Sequence, residues 1–266
     1  MKIKYPSSNK IKIINKFFKE KGLEDFVNEF QKPEKKVNQM KQANPFKPQL
    51  VDLYRLYNFI LLNKRITILE FGSGWSTLVI TLALNELKKK YNKKIQQLRR
   101  NNPFELFVLE NEKKFLNITK KRINSFFKKN KKKNNVKIHY HLSDVVMTEH
   151  EGRIATKYKT IPLCNPDFIY LDGPHQFMVK GSVNGLSTRH KDMMPMVSDI
   201  IKFENFYTPG TILLIDGRSS NAIFFRNFFK RNWIYRHDKT NDQHIFLLND
   251  PVLGKYNKLQ IDFYKE

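Results

Sequence analysis

Acidic side chains stand at or just beyond the ends of a series of short apolar segments in this sequence. These acids are Glu70, Glu110, Asp144, Asp172 and Asp216. Short apolar runs are typical of buried strands, and ligands bind an open α/β sheet at the carboxyl ends of its strands. Carboxylates accept hydrogen bonds from hydroxyl and ammonium groups and also bind metal ions. The sequence therefore predicts a ligand site where these acids meet at one edge of a sheet.

A glycine-rich turn follows the first of these segments, with the sequence Gly72-Ser73-Gly74. Both glycines permit a positive φ angle and let the backbone approach a ligand closely. Ser76 and Thr77 are predicted to cap the helix that follows, so that its free N–H groups face the same ligand.

The order of the glycine turn and the acid-ended strands resembles that of the class I S-adenosylmethionine-dependent methyltransferases, over residues 66–249. Dinucleotide dehydrogenases favour Gly-x-Gly-x-x-Gly instead, and Thr77 stands at the position of the third glycine. The resemblance implies an α/β fold: a Rossmann-like seven-stranded sheet of order 3-2-1-4-5-7-6, with helices on both faces and an N-terminal helical extension.

The resemblance also implies how S-adenosylmethionine would be held. In the family the glycine turn lies along the methionine portion of this cofactor, which assigns that role to Gly72, Ser73 and Gly74. Glu70 would hold the ammonium group, directly or through a water molecule.

The acids after the second and third strands are assigned to the nucleoside part of the cofactor. Glu110 ends the second strand and would accept hydrogen bonds from both ribose hydroxyls, a role for which Glu112 is a rival. Ser143 and Asp144 fall where the family reads the adenine amino group.

Asp172 and Asp216 each follow an almost wholly apolar strand and should converge where the methyl group leaves. Their positions resemble those in metal-dependent O-methyltransferases of the catechol type, in which an Asp after strand four and an Asp-Asn pair after strand five bind magnesium. Gly217 replaces that Asn. Mg²⁺ bound to Asp172 and Asp216 would need water, His175 or substrate oxygens to complete its shell.

His175 stands three residues after Asp172, where the catechol-type enzymes have a basic catalytic residue and related sugar O-methyltransferases have a histidine. A neutral imidazole is suited to removing a hydroxyl proton near neutral pH, so we expect His175 to be the base. Asp172 is the second catalytic candidate and also a cofactor contact. Arg218 and Asn221 are candidates for binding an acidic or polyhydroxylated acceptor.

The formal charge of +24 and the pI of about 9.9 raise the question of a nucleic-acid partner. Lysine greatly outnumbers arginine, and the densest basic run, residues 128–135, contains no aromatic residue that could stack on a base. We interpret this run as a solvated loop. The sequence favours O-methylation of a hydroxylated small molecule or saccharide. The alternatives are an RNA or other nucleic-acid methyltransferase and a non-catalytic module that binds the cofactor.

The sequence is expected to form an N-terminal helical extension at residues 1–64, a methyltransferase domain at residues 65–250 and a C-terminal tail at residues 251–266. The extension could be a cap over the cofactor or a dimer surface, and the oligomeric state is open. A single cysteine, Cys164, excludes an intrachain disulfide. No apolar stretch approaches the length of about 18 residues that a membrane span needs, and the start is unlike a signal peptide, so a cytoplasmic protein is expected.

Periodicity and turn residues predict the remaining elements. Helices are expected at 11–19, 23–30, 50–63, 78–97, 112–127 and 194–206, and strands at 233–237 and 243–248. Residues 147–163 should form a hairpin or an irregular excursion, and residues 175–191 a mobile lid or acceptor loop.

Overall fold

The protein was analysed as a computed structural model that describes residues 1–7, 9–32, 46–190 and 192–266. Two parts of the sequence predictions lie outside these ranges. Asn44 and Pro45 belong to the Pro-interrupted stretch before the third helix, and Lys191 ends the predicted lid.

A seven-stranded sheet forms the centre of the molecule. Its strands are β1 (Thr67–Phe71), β2 (Glu105–Glu110), β3 (Lys137–Leu142), β6 (Phe168–Leu171), β7 (Ile212–Asp216), β8 (Trp233–Asp238) and β9 (Gln243–Leu248). Their spatial order is β3-β2-β1-β6-β7-β9-β8, and β9 runs antiparallel to both of its neighbours. Counted along the chain, this order is 3-2-1-4-5-7-6, which confirms the predicted sheet.

A separate antiparallel hairpin consists of β4 (Val145–His150) and β5 (Arg153–Tyr158). Its turn contains Glu151 and Gly152, both with positive φ angles. The hairpin occupies most of the segment for which a hairpin or an irregular excursion was predicted, although it begins before residue 147.

Helices account for most of the remaining regular structure. They are α1 (Ile11–Glu20), α2 (Glu24–Gln31), α3 (Leu50–Leu62), α4 (Trp75–Ile95), α5 (Lys113–Lys129), α6 (Asp199–Lys202), α7 (Ser219–Phe228) and α8 (Gly254–Lys265). The first five agree closely with the predicted helices.

The central strands are buried on both faces, which explains their nearly continuous apolar sequences. On one face Ile68 and its neighbours pack with side chains from α1 to α5 and from α8. On the other face Leu69 and Phe71 pack with α6, α7 and the β4–β5 hairpin. Helices therefore cover both faces, as expected.

The predicted helix at residues 194–206 is wrong in its first half. The backbone there pairs with β5: Thr156 N donates to Met196 O at 2.8 Å, and Ser198 N donates to Thr156 O at 2.9 Å. Because these groups are used for strand-like pairing, α6 begins only at Asp199, and a short 3₁₀ helix at Glu204–Phe206 follows it.

The two ends of the chain pack into the main body. Helix α3 lies against α4, and its apolar residues belong to the same core as the sheet. The predicted tail contains α8, in which the Tyr264 hydroxyl donates to Asp167 Oδ2 at 3.0 Å and the backbone carbonyl of Phe263 accepts from Lys64 Nζ at 3.2 Å. Among the described residues, none of the helices combines the length and apolar character of a membrane span.

Candidate functional site

A pocket of about 550 Å³ opens at the carboxyl ends of β1, β2, β6 and β7. Most of the predicted site residues line it, so the fold brings the glycine turn and the acids together. These lining residues are Gly72, Ser73, Gly74, Glu110, Asp172, His175, Asp216 and Arg218.

The glycine turn owes its shape to Gly72. This residue has a φ of +97°, and a Cβ atom added to it would lie 3.1 Å from the backbone nitrogen of Gly173. Gly74 does not have a positive φ angle; its φ of 177° is extended. A Cβ atom at Gly74 would meet nothing within 4 Å. The absence of a side chain at Gly74 therefore leaves open space in the pocket, and a ligand could approach the backbone closely there.

Glu70 lies beneath the turn and is only 1% exposed. Its Oε1 accepts a hydrogen bond from the Ser76 hydroxyl at 2.5 Å, so Ser76 does not cap α4 as predicted, whereas Thr77 Oγ1 accepts from Gly74 N. Glu70 Oε2 is buried and has no hydrogen-bond partner within the described ranges. Desolvation raises the pKa of Glu70 to about 8, although the Ser76 hydrogen bond opposes this shift. An ammonium group or a water molecule would satisfy the unpaired oxygen.

Glu110 is buried at the end of β2 and lines the pocket. Its Oε1 accepts hydrogen bonds from the backbone of Asn111 (2.7 Å) and Glu112 (2.8 Å), and its Oε2 accepts from the Ser73 hydroxyl at 2.7 Å. Desolvation raises the pKa of Glu110, and these hydrogen bonds oppose the shift. Oε2 has capacity for further donors such as ribose hydroxyls.

Glu112, the rival for the ribose role, has a different task. Its Oε1 accepts a hydrogen bond from Lys114 N at 3.1 Å, which caps the start of α5. The geometry therefore favours Glu110.

Ser143 and Asp144 follow β3 but do not line the described pocket. Asp144 forms ion pairs with Lys180 at 2.7 Å and with Lys159 at 3.2 Å, and these contacts lower its pKa. The Ser143 hydroxyl accepts from Thr160 N at 2.9 Å. Their role in binding adenine stays a prediction.

Asp172 follows β6, and its side chain is exposed to the pocket. Desolvation by the surrounding walls raises its pKa to about 7; Arg218 opposes the shift and Asp216 adds to it. Water reaches the carboxylate through the pocket mouth, so the desolvation is greatest when a ligand fills the pocket. A carboxylate that titrates near neutral pH is suited to accept a proton.

The contacts of His175 bear on its predicted role as the base, which stays a prediction. Its Nδ1 accepts a hydrogen bond from Phe177 N at 3.3 Å, and its backbone N donates to Asn111 Oδ1 at 3.1 Å. Desolvation lowers the pKa of His175, although Glu112 raises it. A neutral imidazole that accepts at Nδ1 carries its proton on Nε2, so this hydrogen-bond pattern assigns Nε2 as a donor rather than a base.

The residues present do not fit the predicted magnesium ion. Asp216 Oδ2 accepts from the Tyr170 hydroxyl at 2.9 Å, and Oδ1 faces the Gln243 amide at 3.5 Å. Gly217 offers no side-chain ligand. In the described part of the chain, no close group of three histidine, cysteine or carboxylate ligands includes Asp172 or Asp216.

The two candidate acceptor-binding residues differ in position. Arg218 lines the pocket; its Nη2 donates to the backbone oxygens of Asp172 (2.9 Å) and Pro174 (3.1 Å), and its Nη1 is buried without a partner among the described residues. Asn221 is 1% exposed, and its Oδ1 accepts from Val197 N at 3.1 Å. Asn221 does not line the pocket and holds two backbone segments together instead.

Sequence reasoning missed two acids in the pocket wall, Asp242 in the β8–β9 turn and Asp52 on α3. Asp52 is the acid with the strongly shifted pKa. Desolvation raises its pKa to about 7, Asp216 and Asp242 add to the shift, and Arg55 opposes it. Nothing local in the sequence marks Asp52, because an acid in the first turn of an amphipathic helix is ordinary. The backbone just before α3 also reaches the site, where Trp75 Nε1 donates to Phe46 O at 3.1 Å. Part of the N-terminal extension therefore forms a wall of the pocket.

The strand order and the glycine turn at the carboxyl end of β1 define a class I methyltransferase fold. No family model and no curated protein matches the sequence.

Comparison with solved structures finds proteins that align over most of both chains at low sequence identity. An O-methyltransferase from Bacillus cereus in complex with SAH has a TM-score of 0.39 and 13% identity, over 86% of this chain and 97% of that chain. The cofactor-bound Rv0187 from MTB has a TM-score of 0.44 and 8% identity, over 92% and 100% of the two chains. A putative O-methyltransferase from Klebsiella pneumoniae has a TM-score of 0.38 and 11% identity, over 86% and 97%.

Proposed function

We propose that this protein is an S-adenosylmethionine-dependent O-methyltransferase that acts in the cytoplasm on a hydroxylated small molecule or a saccharide. The observation that carries the proposal is that one pocket is lined by the glycine turn and Glu110 and also by Asp172 and His175. Methyl transfer to a hydroxyl needs a cofactor-binding region beside groups that can accept a proton, and this arrangement supports the proposal.

The part of the site that we assign to the cofactor comprises Gly74, Glu70 and Glu110, and each residue has its own role. Gly74 provides open space along the methionine portion, and the unpaired Oε2 of Glu70 suits the ammonium group. Glu110 Oε2 accepts from the ribose hydroxyls. Bound S-adenosylmethionine supplies a methyl group on a sulfonium that transfers to a nucleophile.

The acceptor half aligns and deprotonates a hydroxyl group. Asp172 would accept the proton of the acceptor hydroxyl, and its carboxyl group would later return that proton to water. His175 donates a hydrogen bond from Nε2 and positions the acceptor. The unpaired Nη1 of Arg218 is available to a second acceptor oxygen. Phe115 and Phe177 contribute apolar wall that excludes water.

A direct experiment is calorimetric titration of the protein with S-adenosylhomocysteine, followed by assays with labelled S-adenosylmethionine and a panel of hydroxylated acceptors. We expect saturable binding of the cofactor product and label transfer to an acceptor oxygen. Failure to bind either form of the cofactor would refute the proposal.

A nucleic-acid methyltransferase is the second candidate, because a second cavity of about 810 Å³ is strongly basic. The lysines that line it come from three segments of the chain: Lys21, Lys88, Lys89, Lys132 and Lys133. Three of them already have partners. Lys21 pairs with Glu86 at 2.8 Å, Lys88 donates to Asn135 O at 2.6 Å and Lys132 donates to Lys21 O at 3.2 Å. This cavity shares no lining residue with the first pocket, so the geometry favours the small-molecule acceptor.

A further inference from the structure

Two histidines face each other across the β8–β9 pair. His237 and His244 are directly opposite in the antiparallel register, and Asp242 lies in the turn that joins the strands. Ligand atoms of all three side chains lie within 4.8 Å of one another. Side chains directly opposite on antiparallel strands are close enough to share one ligand.

His237 has an unused nitrogen in this cluster. Its Nε2 is buried and has no hydrogen-bond partner in the described part of the chain, and it lies 3.8 Å from Asp242 Oδ1. A buried polar atom without a partner costs stability unless a ligand or water satisfies it.

His244 is held in a fixed orientation. Its Nε2 lies 2.9 Å from the Ser219 hydroxyl and its Nδ1 lies 2.9 Å from the Tyr235 hydroxyl. Only one nitrogen of a neutral ring carries a proton. The other can exchange its hydroxyl for a metal ion, and the remaining contact then orients the ring.

We propose that His237, Asp242 and His244 bind a divalent transition-metal ion such as Zn²⁺. Two imidazole nitrogens and one carboxylate oxygen form a donor set that zinc prefers, and water would supply the fourth ligand. The two imidazole rings are stacked, with their centroids 4.0 Å apart. They must rotate so that both lone pairs point at the ion. The proposal does not depend on methyl transfer.

The site would lie behind one wall of the pocket. Asp242 and Asn241 line the pocket, and the backbone oxygen of Asp242 accepts from Gly217 N at 2.9 Å. An ion at this position would therefore fix the turn against the loop that follows β7. It is a different site from Asp172 and Asp216.

Calorimetric titration of the chelator-treated full-length protein with ZnCl₂ tests the proposal. We expect saturable binding by the wild type and an affinity at least about 10-fold lower in His237→Ala, the scale found when even outer partners of a metal site are lost. Asp242→Asn should show a comparable loss. His141→Ala is the matched control, because this histidine lies on β3 at the opposite edge of the sheet, and it should bind as the wild type does.

Two further measurements separate this site from other causes. Asp172→Asn should keep the wild-type zinc affinity, which excludes binding at the methyl-transfer site. X-ray absorption of the zinc-loaded protein should show imidazole ligands. The melting temperature of each metal-free variant reports whether it folds. If His237→Ala does not fold, the zinc titration of Asp242→Asn tests the proposal in its place. A wild type that binds no zinc, or a folded His237→Ala or Asp242→Asn that binds as tightly as the wild type, would overturn the proposal.

Discussion

Arg218 ties two strand ends together at the reacting centre, because its Nη2 donates to the backbone carbonyl oxygen of Asp172 at 2.9 Å. Arg218 follows β7 and Asp172 follows β6, so this hydrogen bond to the backbone connects the ends of the two strands. The positive charge of Arg218 also opposes the shift by which desolvation raises the pKa of Asp172 to about 7. A carboxylate that titrates in the neutral range suits the role of base that we propose for Asp172.

Removal of the Glu110 carboxylate should weaken cofactor binding. Glu110→Ala is expected to lower the affinity for S-adenosylmethionine by about 1.5–3 kcal/mol, the usual scale for charge-assisted hydrogen bonds. Calorimetric titration measures it. Glu112→Ala is the control, because Glu112 caps α5 and should leave cofactor affinity unchanged. Equal affinities in the two variants would remove Glu110 from the site.

Substitutions at the two glycines of the turn should have different effects, on stability at Gly72 and on cofactor binding at Gly74. Gly72→Ala forces a side chain into a positive φ and against the backbone of Gly173, so its melting temperature should fall. Gly74→Val should fold normally but bind S-adenosylhomocysteine poorly, because the branched side chain fills the open space at the pocket. Thermal melts and binding titrations on both variants separate the effects. Full cofactor affinity in Gly74→Val would contradict the assignment.

Activity should rise with pH through the titration of Asp172. Because a base must be deprotonated and desolvation by the pocket walls raises the pKa of Asp172 to about 7, kcat/KM is expected to increase from below to above that pH. Asp172→Asn should lower kcat by about 10²–10⁴-fold, with cofactor affinity largely kept. A profile that stays flat between pH 5 and about pH 8 would argue against this base.

The donor role of His175 predicts a difference between two substitutions. His175→Gln keeps an N–H donor and should retain more activity than His175→Ala. If His175 were the base, neither variant could take the proton and both would be equally impaired. Steady-state kinetics under conditions where chemistry limits the rate distinguish the two roles.

The lysine-rich loop should be dispensable for a small acceptor. Replacement of Lys128, Lys129, Lys131, Lys132 and Lys133 by Gln should leave methyl transfer nearly unchanged. A nucleic-acid enzyme would instead lose affinity, and its salt slope would fall by about 0.9 for each lost duplex phosphate contact. Sequence-selective methylation of RNA or DNA by the purified protein would favour the second candidate.

The fold was predictable because the strands are buried on both faces and their acids come in a fixed order along the chain. The roles of single side chains were less predictable. Asp52 reaches the pocket through tertiary packing of α3, which no local pattern reveals. The helix predicted before Asp199 failed because the backbone there pairs with Thr156, a long-range contact. The proton position on His175 depends on a hydrogen bond from Phe177 N, which spacing alone does not specify.

A crystal structure of the protein with S-adenosylhomocysteine tests the central claim most directly. Our account predicts both ribose hydroxyls on Glu110, the ammonium group near Glu70 and the sulfur facing Asp172 across the pocket. The homocysteine portion should pass over Gly74. A ligand bound elsewhere, or no bound ligand at saturating concentration, would contradict the account.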